Sequence, residues 1–459
     1  MRPDKLRAVV FVAALSVWGA GGLVLTGDAA PQNAASPAAP TFSRDVAPIF
    51  YDKCVGCHRP GEVAPMSLIT YRDVRPWASA IREKVTTRVM PPWHADRQYG
   101  SFRNDLSLTQ REIDTIAAWV KTGAGEGNPS ELPALPKFPD GWQIGQPDHV
   151  FEMQADYQVP ATGTIDYQYF EVPTNFTEDK WMQAGEVRAG DRSHVHHIIV
   201  YVREPKPTNR PNVVAIRPIL SAGQAPAPAP ARAPGEQSSA RSAAPGGGDA
   251  MLVNWAVGED APVYLPGTAK RIPAGSTLIF QVHYTTNGKP GVDRSRIGLI
   301  FAKEPPRQEI RTGIIANPVF TIPPGAANHE VEAEATFSDN VRVWTMHPHM
   351  HLRGKDMTYT AIYPDGRREV VLQVPKFDFG WQTDYWLSEP LMLPKGSKLH
   401  VRAHFDNSTA NRSNPDPTTA VRWGDQTWEE MMIGFFTYTV EKPASQAFVV
   451  RPERVASSR

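Results

Sequence analysis

The chain has 459 residues and carries 48 basic (Lys plus Arg) and 48 acidic (Asp plus Glu) side chains, so its formal net charge is zero. This balance gives no support to nucleic acid or an anionic membrane as the principal partner. The 44 prolines and 34 glycines favour short strands, turns and linkers over long helices. With only 2 cysteines a disulfide framework is excluded, so core burial and bound cofactors must hold the roughly three domains expected at this length.

Residues 1–30 predict a secretory signal peptide. Basic side chains stand at Arg2, Lys5 and Arg7, and an uncharged apolar run follows over residues 8–26. An uncleaved anchor helix is the alternative, because the run approaches the length of a membrane span. Both interpretations place the main body outside the cytoplasm, in the periplasm or otherwise exported. Membrane attachment is expected only if the segment is retained.

A flexible linker at residues 31–41 leads to the sequence CVGCH at residues 54–58. This C-x-x-C-H pattern is the signature of c-type haem attachment. The thiols of Cys54 and Cys57 add to the haem vinyl groups, and His58 becomes an axial ligand of the iron. A redox dithiol would not need the histidine, and a zinc half-site lacks a second cysteine pair. The motif therefore predicts covalently attached haem c.

Met90 is the predicted sixth ligand of the iron. It lies 32 residues after His58, in a loop rich in proline. Met66 is the rival and His94 a weaker alternative. A His/Met ligand pair raises the haem potential and suits electron transfer.

Residues 42–128 have the pattern of a small helical domain. Residues 75–88 suit a helix with Pro76 in its first turn. Thr109 and Glu112 predict a capping box that opens an amphipathic helix. The arrangement resembles class I cytochrome c, whose first and last helices cross beside the haem.

The chain changes character after a Pro- and Gly-rich linker at residues 129–146. Short β-rich runs separated by turn residues predict antiparallel sandwiches rather than an α/β fold. The clearest runs are residues 196–202, 277–284, 296–301, 341–346 and 398–405. A low-complexity insert at residues 221–249 is expected to be a disordered surface loop that does not split its domain, and residues 443–459 a loose tail.

Histidines cluster at the start of one predicted strand. Side chains two apart on a regular strand share a face, so geometry alone would pair His194 with His196. His196 and His197 can share one ion only where the strand is irregular or the site lies at its end. A third nitrogen could come from His283, in another apolar run.

A second cluster places His347, His349 and His351 at alternate positions. On a strand, this spacing gathers up to three imidazoles on one face. Met431, or Met432 if the strand register slips by one, could add a sulfur ligand. Imidazole with thioether favours copper, particularly Cu(I), over zinc.

These motifs, in this order, resemble the copper type II ascorbate-dependent monooxygenases, namely peptidylglycine α-hydroxylating and dopamine β-monooxygenase. The pair at residues 196–197 before an apolar strand matches the paired histidines of that family. QVHY at residues 281–284 matches the third ligand of the same copper. The H-x-H-x-x-G-K pattern at residues 349–355 and the Glu-Met pair at residues 430–431 match the ligands of the second copper. The resemblance covers about residues 147–440.

The resemblance implies two all-β jelly-roll sandwich domains, residues 147–304 and 305–442, which follow the small all-α cytochrome c domain. The first copper would relay electrons, and the second would bind O2 and substrate. The implied ligands are His196, His197 and His283 for the first copper, and His349, His351 and Met431 for the second.

The expected function is that of an exported copper- and haem-dependent monooxygenase that hydroxylates a C–H bond of a small organic substrate with O2. Electrons would pass from the fused haem through the first copper to the second. Ascorbate or a redox protein would be the external donor. The alternative is a non-catalytic electron-transfer or copper-binding protein on the same fold. A zinc hydrolase is not favoured, because the sequence has no H-E-x-x-H motif.

Departures from the family limit the choice of substrate. The disulfides of the animal enzymes are absent. His347 stands where the peptide-hydroxylating enzyme has an arginine that helps to hold the peptide carboxylate, and Phe435 stands in place of a tyrosine. Peptide C-termini and catecholamines are therefore both poorly supported. His347 is left open as a ligand, a support for a ligand or a substrate contact, and His404 is more simply structural.

Overall fold

The computed structural model describes residues 39–60, 62, 64–138, 141–205, 213–219, 250–256 and 261–441. The predicted signal peptide, linker residues 31–38, the insert at 221–249 and the tail at 443–459 lie outside these ranges. The described chain is mostly β-sheet with few helices, which is consistent with β-sandwich domains. Within it, none of the helices combines the length and apolar character needed to cross a bilayer.

The helices of the described chain all lie before the β-rich part. Thr109 caps the last of the α-helices, and Glu112 completes the predicted capping box. Trp119 is fully buried on the inner face of this helix. The α-helices are α1 (Ala47–Lys53), α2 (Tyr71–Val74), α3 (Ala78–Thr86) and α4 (Gln110–Lys121). Helical turns of other types lie at Phe42–Val46, Arg75–Trp77 and Pro129–Glu131.

Strands make up most of the remainder. The first of them are β1 (His149–Glu152), β2 (Tyr157–Val159), β3 (Gln168–Pro173), β4 (Lys180–Arg188), β5 (Val195–Arg203), β6 (Val214–Ile219), β7 (Ala250–Ala256), β8 (Thr268–Ile272), β9 (Thr277–Tyr284), β10 (Gly291–Asp293) and β11 (Arg296–Phe301). They continue with β12 (Gln308–Glu309), β13 (Arg311–Ala316), β14 (Thr321–Ile322), β15 (His329–Phe337), β16 (Val341–His349), β17 (Gly354–Ile362), β18 (Arg368–Val374), β19 (Tyr385–Leu393), β20 (Lys398–Phe405), β21 (Val421–Arg422) and β22 (Ile433–Val440). The five clearest runs predicted from the sequence all lie within strands, namely β5, β9, β11, β16 and β20.

The strands form two pairs of larger sheets. The first pair has the orders β1-β11-β4-β8-β12 and β3-β9-β5-β7, and the second has the orders β13-β22-β16-β19 and β18-β17-β20-β15-β6. Each pair encloses its own apolar core. The sheets cross the domain boundary drawn from the sequence at residue 304, because β6 pairs with β15 of the second sandwich and β12 pairs with β8 of the first.

Strand β5 shows why its apolar run is unbroken. Ile198 and Val200 point into the core of the first sandwich. The alternate residues Ile199 and Tyr201 pack instead on Phe435 and its neighbours on β22 of the second sandwich. Both faces of the strand are therefore buried, and the two sandwiches share an apolar contact.

The loop at residues 91–104, in the helical part of the chain, packs against the second sandwich. The ring of Trp93 lies 5.1 Å from that of Tyr385 in an edge-on contact. The backbone N–H of Arg103 donates to the carbonyl of Trp386 at 2.8 Å, and the Arg103 guanidinium lies 4.2 Å from the Trp386 ring centre. Polar and apolar contacts together hold this loop against β19.

Candidate functional site

A cavity of ≈1210 Å³ lies against the C-x-x-C-H segment. Cys54, Cys57 and His58 line it together with the two candidate methionines, Met66 and Met90. Much of the wall is apolar, as a porphyrin would require. The residues present therefore fit haem c.

His58 is oriented by a backbone carbonyl. Its Nδ1 lies 3.2 Å from the carbonyl oxygen of Met66, which leaves Nε2 for an iron ion. Burial lowers the pKa of His58 and so favours the neutral form that binds metals. The Met66 carbonyl already contacts His58, whereas Met90 lines the cavity from the loop after α3, and it stays the predicted sixth ligand.

The Cys54 thiol is poorly suited to redox catalysis. Burial raises the pKa of Cys54 to about 12. A reactive dithiol needs an accessible thiolate of low pKa. The raised pKa of Cys54 therefore argues against the redox-dithiol alternative, and haem attachment stays the prediction.

Three histidines meet at the end of β5, and they are called the first site below. The pairing of β5 with β9 shifts register between Val195 and His197. Because of this irregularity, the side chains of the adjacent His196 and His197 point toward the same position. Their Nδ1 atoms are 3.0 Å apart. His283 is the cross-strand partner of His197, and one ligand nitrogen from each histidine lies within 4.8 Å of the others.

The first site has the chemistry of a metal centre. The Nδ1 atom of His283 is buried and has no hydrogen-bond partner among the described residues. Burial, reinforced by the imidazoles of His196 and His351, lowers the pKa of His283 to about 3. Neutral nitrogen donors, one of them unsatisfied, suit copper or zinc.

His194 does not join this group. Its Nδ1 lies 2.7 Å from Asp191 Oδ2, and its Nε2 lies 2.9 Å from the carbonyl of Lys289. Burial opposes protonation, but these two oxygens together raise the pKa of His194. The pairing of His194 with His196 that strand alternation suggests is wrong, because the register shift turns the neighbouring histidines together instead.

His349 and His351 lie at the end of β16 and, with Met431, are called the second site. Their ring centroids are 5.2 Å apart at 90°. Nδ1 of His349 lies 2.5 Å from Gln382 Oε1, and Nδ1 of His351 lies 3.2 Å from the carbonyl of Glu429. Burial lowers the pKa of both histidines. Each imidazole is thus held by an oxygen at Nδ1, which leaves Nε2 for a metal.

The two candidate methionines lie on different sides of the chain. Met432 is fully buried in the core of the second sandwich. Met431 belongs to the apolar cluster between the sandwiches, together with Phe435. The Phe435 ring lies 6.0 Å from that of His349, so this cluster adjoins the histidines. Met431 is therefore the methionine on the histidine side of the chain, and it stays the predicted sulfur ligand.

Glu430 and Arg353 stabilise the turn that follows the second-site histidines. Glu430 is fully buried, and its two oxygens accept the backbone N–H groups of His351 at 2.8 Å and Arg353 at 2.6 Å. The Arg353 side chain, 1% exposed, donates to Asn407 Oδ1 and to the carbonyl of Trp428, both at 2.8 Å. The Glu430 carboxylate therefore binds backbone N–H groups of the turn rather than an imidazole.

Phe379 lies between the two sites, although no sequence signal pointed to it. Its ring stacks on His196 at 5.5 Å and approaches His283 at 5.7 Å. The same ring meets His351 edge-on at 6.0 Å. A single phenyl ring therefore contacts histidines of both sites.

Two further histidines, His347 and His404, have carboxylate neighbours. His347 Nδ1 lies 3.0 Å from Asp384 Oδ1, within ion-pair distance but without hydrogen-bond alignment. Asp384 also lines the cavity beside the C-x-x-C-H segment. His404 lies 2.7 Å from Asp356 through Nδ1 and 3.3 Å from Glu330 through Nε2, which agrees with a structural role.

Comparison with known proteins assigns no family. No protein-family model matches the chain, and no curated protein matches it. A secreted protein from Eubacterium rectale is 9% identical with a TM-score of 0.18, covering 60% of this chain and 70% of its own. A structure of allantoicase is 7% identical with a TM-score of 0.15, covering 55% and 79%. The infectious bursal disease virus VP2 subviral particle is 9% identical with a TM-score of 0.19, covering 64% and 72%. Similarity this weak carries no argument about fold or function.

Proposed function

We propose that this protein is an exported copper- and haem-dependent monooxygenase that hydroxylates a C–H bond of a small organic substrate with O2. One observation carries the proposal. The predicted ligands gather as two histidine-containing sites on either side of Phe379, beside a cavity lined by Cys54, Cys57 and His58. An electron carrier next to two one-electron metal sites is the arrangement that such a reaction needs.

The fold assignment is part of the same proposal. The helical segment would be a class I-like cytochrome c domain, with haem c held by Cys54, Cys57, His58 and Met90. The two sandwiches would be jelly rolls of the copper type II monooxygenase kind. The capping box and the buried Trp119 of α4 support the assignment of the helical segment. The two pairs of largely antiparallel sheets and the order of the ligand motifs support the assignment of the sandwiches.

Copper is the metal that the donor sets favour. Imidazole with thioether suits Cu(I) better than zinc, which supports Met431 as a ligand beside His349 and His351. When bound, the coppers would supply one-electron redox chemistry and O2 binding, and the haem would store electrons for them. The first site offers nitrogen donors alone, which suit copper acting as an electron relay between the haem and the second site.

The protein's own residues would orient the imidazoles of the second site and exclude water from it. Gln382 and the Glu429 carbonyl fix the two imidazoles through Nδ1. Phe435 and Phe379 place aromatic faces against the histidines. The Arg353 guanidinium is held by Asn407 and Trp428 and so is not directed at a substrate. The site therefore favours an uncharged, largely apolar substrate.

Metal analysis followed by O2 uptake tests the proposal. We expect one haem and two coppers per chain, and O2 consumption that depends on an added C–H substrate and a reductant. His349→Ala should lose one copper and the substrate-dependent uptake, while haem reduction by ascorbate continues. His404→Ala serves as the matched control, because its ring is bound to carboxylates away from both sites. Zinc in place of copper, or a copper content unaffected by His349→Ala, would contradict the proposal.

A non-catalytic electron-transfer protein is the second candidate. Its support is the replacement of the family's substrate-holding residues by His347 and Phe435. This candidate predicts two coppers and a redox-active haem without hydroxylation of any substrate in a panel of uncharged aromatic and aliphatic compounds. Product analysis by mass spectrometry separates the two candidates.

A further inference from the structure

We propose that residues 381–384 connect the haem cavity directly to the second site, so that electrons reach this site without passing through the first site. This inference rests on the proposed function and changes its order of electron transfer. In the expected order the first site is an obligatory relay. Here the segment between β18 and β19 connects the haem cavity to the second site directly.

One side of the segment forms part of the haem cavity. The side chains of Trp381, Thr383 and Asp384 line the same cavity as Cys54 and His58. A haem attached at the C-x-x-C-H motif would therefore have this segment as part of its surroundings.

The other side of the segment holds the histidines of β16. Gln382 is buried, and its Oε1 lies 2.5 Å from Nδ1 of His349. Asp384 Oδ1 lies 3.0 Å from Nδ1 of His347. Since Trp381 and Gln382 are bonded neighbours, the path from the cavity wall to a ligand imidazole consists of covalent bonds and one hydrogen bond.

The connection is also fixed in place. The Asn104 side chain donates to the carbonyl of Asp384 at 2.7 Å and accepts the backbone N–H of Trp386 at 3.0 Å. Asn104 and Arg103 both line the cavity, so the same loop holds the cavity wall and the start of β19 together. A rigid path of this kind needs little rearrangement when an electron passes.

The first site has no comparable connection. Within the described residues, no hydrogen bond joins a side chain of the cavity wall to His196, His197 or His283. Phe379 touches all three only by ring packing. The ion pair of Arg192 with Glu62 links the haem-side loop to the start of β5, but it reaches none of the three.

The proposed step is a simple one-electron exchange. A ferrous haem held by Cys54, Cys57 and His58 would give one electron to a cupric ion held by His349 and His351, so the iron would become ferric and the copper cuprous. No bond to the protein is made or broken, and no further oxidant is needed. Ascorbate or another one-electron donor then restores the ferrous haem.

Anaerobic stopped-flow absorbance of the haem tests the order of transfer. The full-length holoprotein is reduced at the haem, loaded with Cu(II), and followed for haem oxidation. In His283→Ala, which disables the first site, we expect the fast phase to persist. In His351→Ala, which disables the second site, we expect the fast phase to be lost. Loss of the fast phase in His283→Ala with its retention in His351→Ala would overturn the inference but leave the proposed function intact.

A milder pair of variants tests the segment itself. Gln382→Leu should slow haem oxidation at copper concentrations that keep the second site saturated, with saturation verified by its EPR spectrum. Gln382→Glu keeps an oxygen within reach of His349 Nδ1 and should restore the rate. Thr383→Ser, on the cavity side, is the matched control. Equal rates in Gln382→Leu and wild type would overturn the role of the segment. Absence of haem oxidation in the copper-loaded wild type would instead contradict the proposed function.

Discussion

Removing the Glu430 carboxylate should loosen the turn that carries the second-site histidines. Its two oxygens are the acceptors for the buried N–H groups of His351 and Arg353. Glu430→Ala leaves both without a partner, and each buried unsatisfied donor costs about 1–3 kcal/mol. The sum is a loss of about 2–6 kcal/mol in the free energy of unfolding. Burial raises the pKa of Glu430 to about 8, so ionising this group is itself costly and the lower half of that range is expected.

Urea denaturation followed by tryptophan fluorescence measures this loss. Copper affinity at the second site should fall by about 10- to 100-fold, as it does when support for metal-bound histidines is removed elsewhere. Glu178→Ala is the control, because this carboxylate is exposed and pairs with Lys180 at the surface. It should change neither quantity.

The reasoning would be refuted by a Glu430→Ala protein with the urea midpoint and second-site copper affinity of the wild type. That result would mean that water or the Arg353 network satisfies the two N–H groups unaided. Loss of stability with unchanged copper affinity would refute only the link between the turn and the site.

Three further predictions concern the haem, the His194–Asp191 pair and the space between the two sites. Met90→Ala should lower the haem reduction potential and remove the His/Met absorption spectrum, whereas Met66→Ala should preserve both. A change seen only in Met66→Ala would make Met66, rather than Met90, the sixth ligand. The raised pKa of His194 adds stability that is fully present below about pH 6.5 and is lost as the pH rises through its folded-state value. His194→Gln should therefore flatten this part of the stability profile in thermal unfolding at stepped pH, and an unchanged slope would exclude the His194–Asp191 pair as its source. Phe379→Ala should speed removal of copper from both sites by a chelator, with Phe379→Leu intermediate, because the ring covers histidines of each; equal chelation rates would show that the ring does not shield them.

The sequence indicated the residue types of the candidate sites better than it indicated their surroundings. Short motifs with unusual spacing identified the histidines that come together at the ends of β5 and β16. The alternation rule failed at His194, because it assumes a regular strand and the register shifts between Val195 and His197. The local sequence alone does not locate that irregularity.

The supporting residues could not be predicted because their partners are distant in the chain. Gln382 meets His349 across 33 residues, and Glu430 meets Arg353 across 77. Phe379 stands in a loop without any motif, and only the packing of the two sandwiches brings histidines to both of its sides. Strand β6 likewise joins the sheet of the second sandwich, a pairing that its place in the sequence does not indicate.

The loop at residues 91–104 has a consequence for engineering the chain. Trp93 and Phe102 pack against the core of the second sandwich, and Phe102 forms a β-bridge with Leu387. A fragment ending at residue 128 would carry these side chains away from Tyr385 and present them to water. The helical segment and the second sandwich are thus not interchangeable modules. A chimaera that exchanges helices α1 to α4 for another helical unit must keep the side chains of this loop, because they pack against the core of the second sandwich.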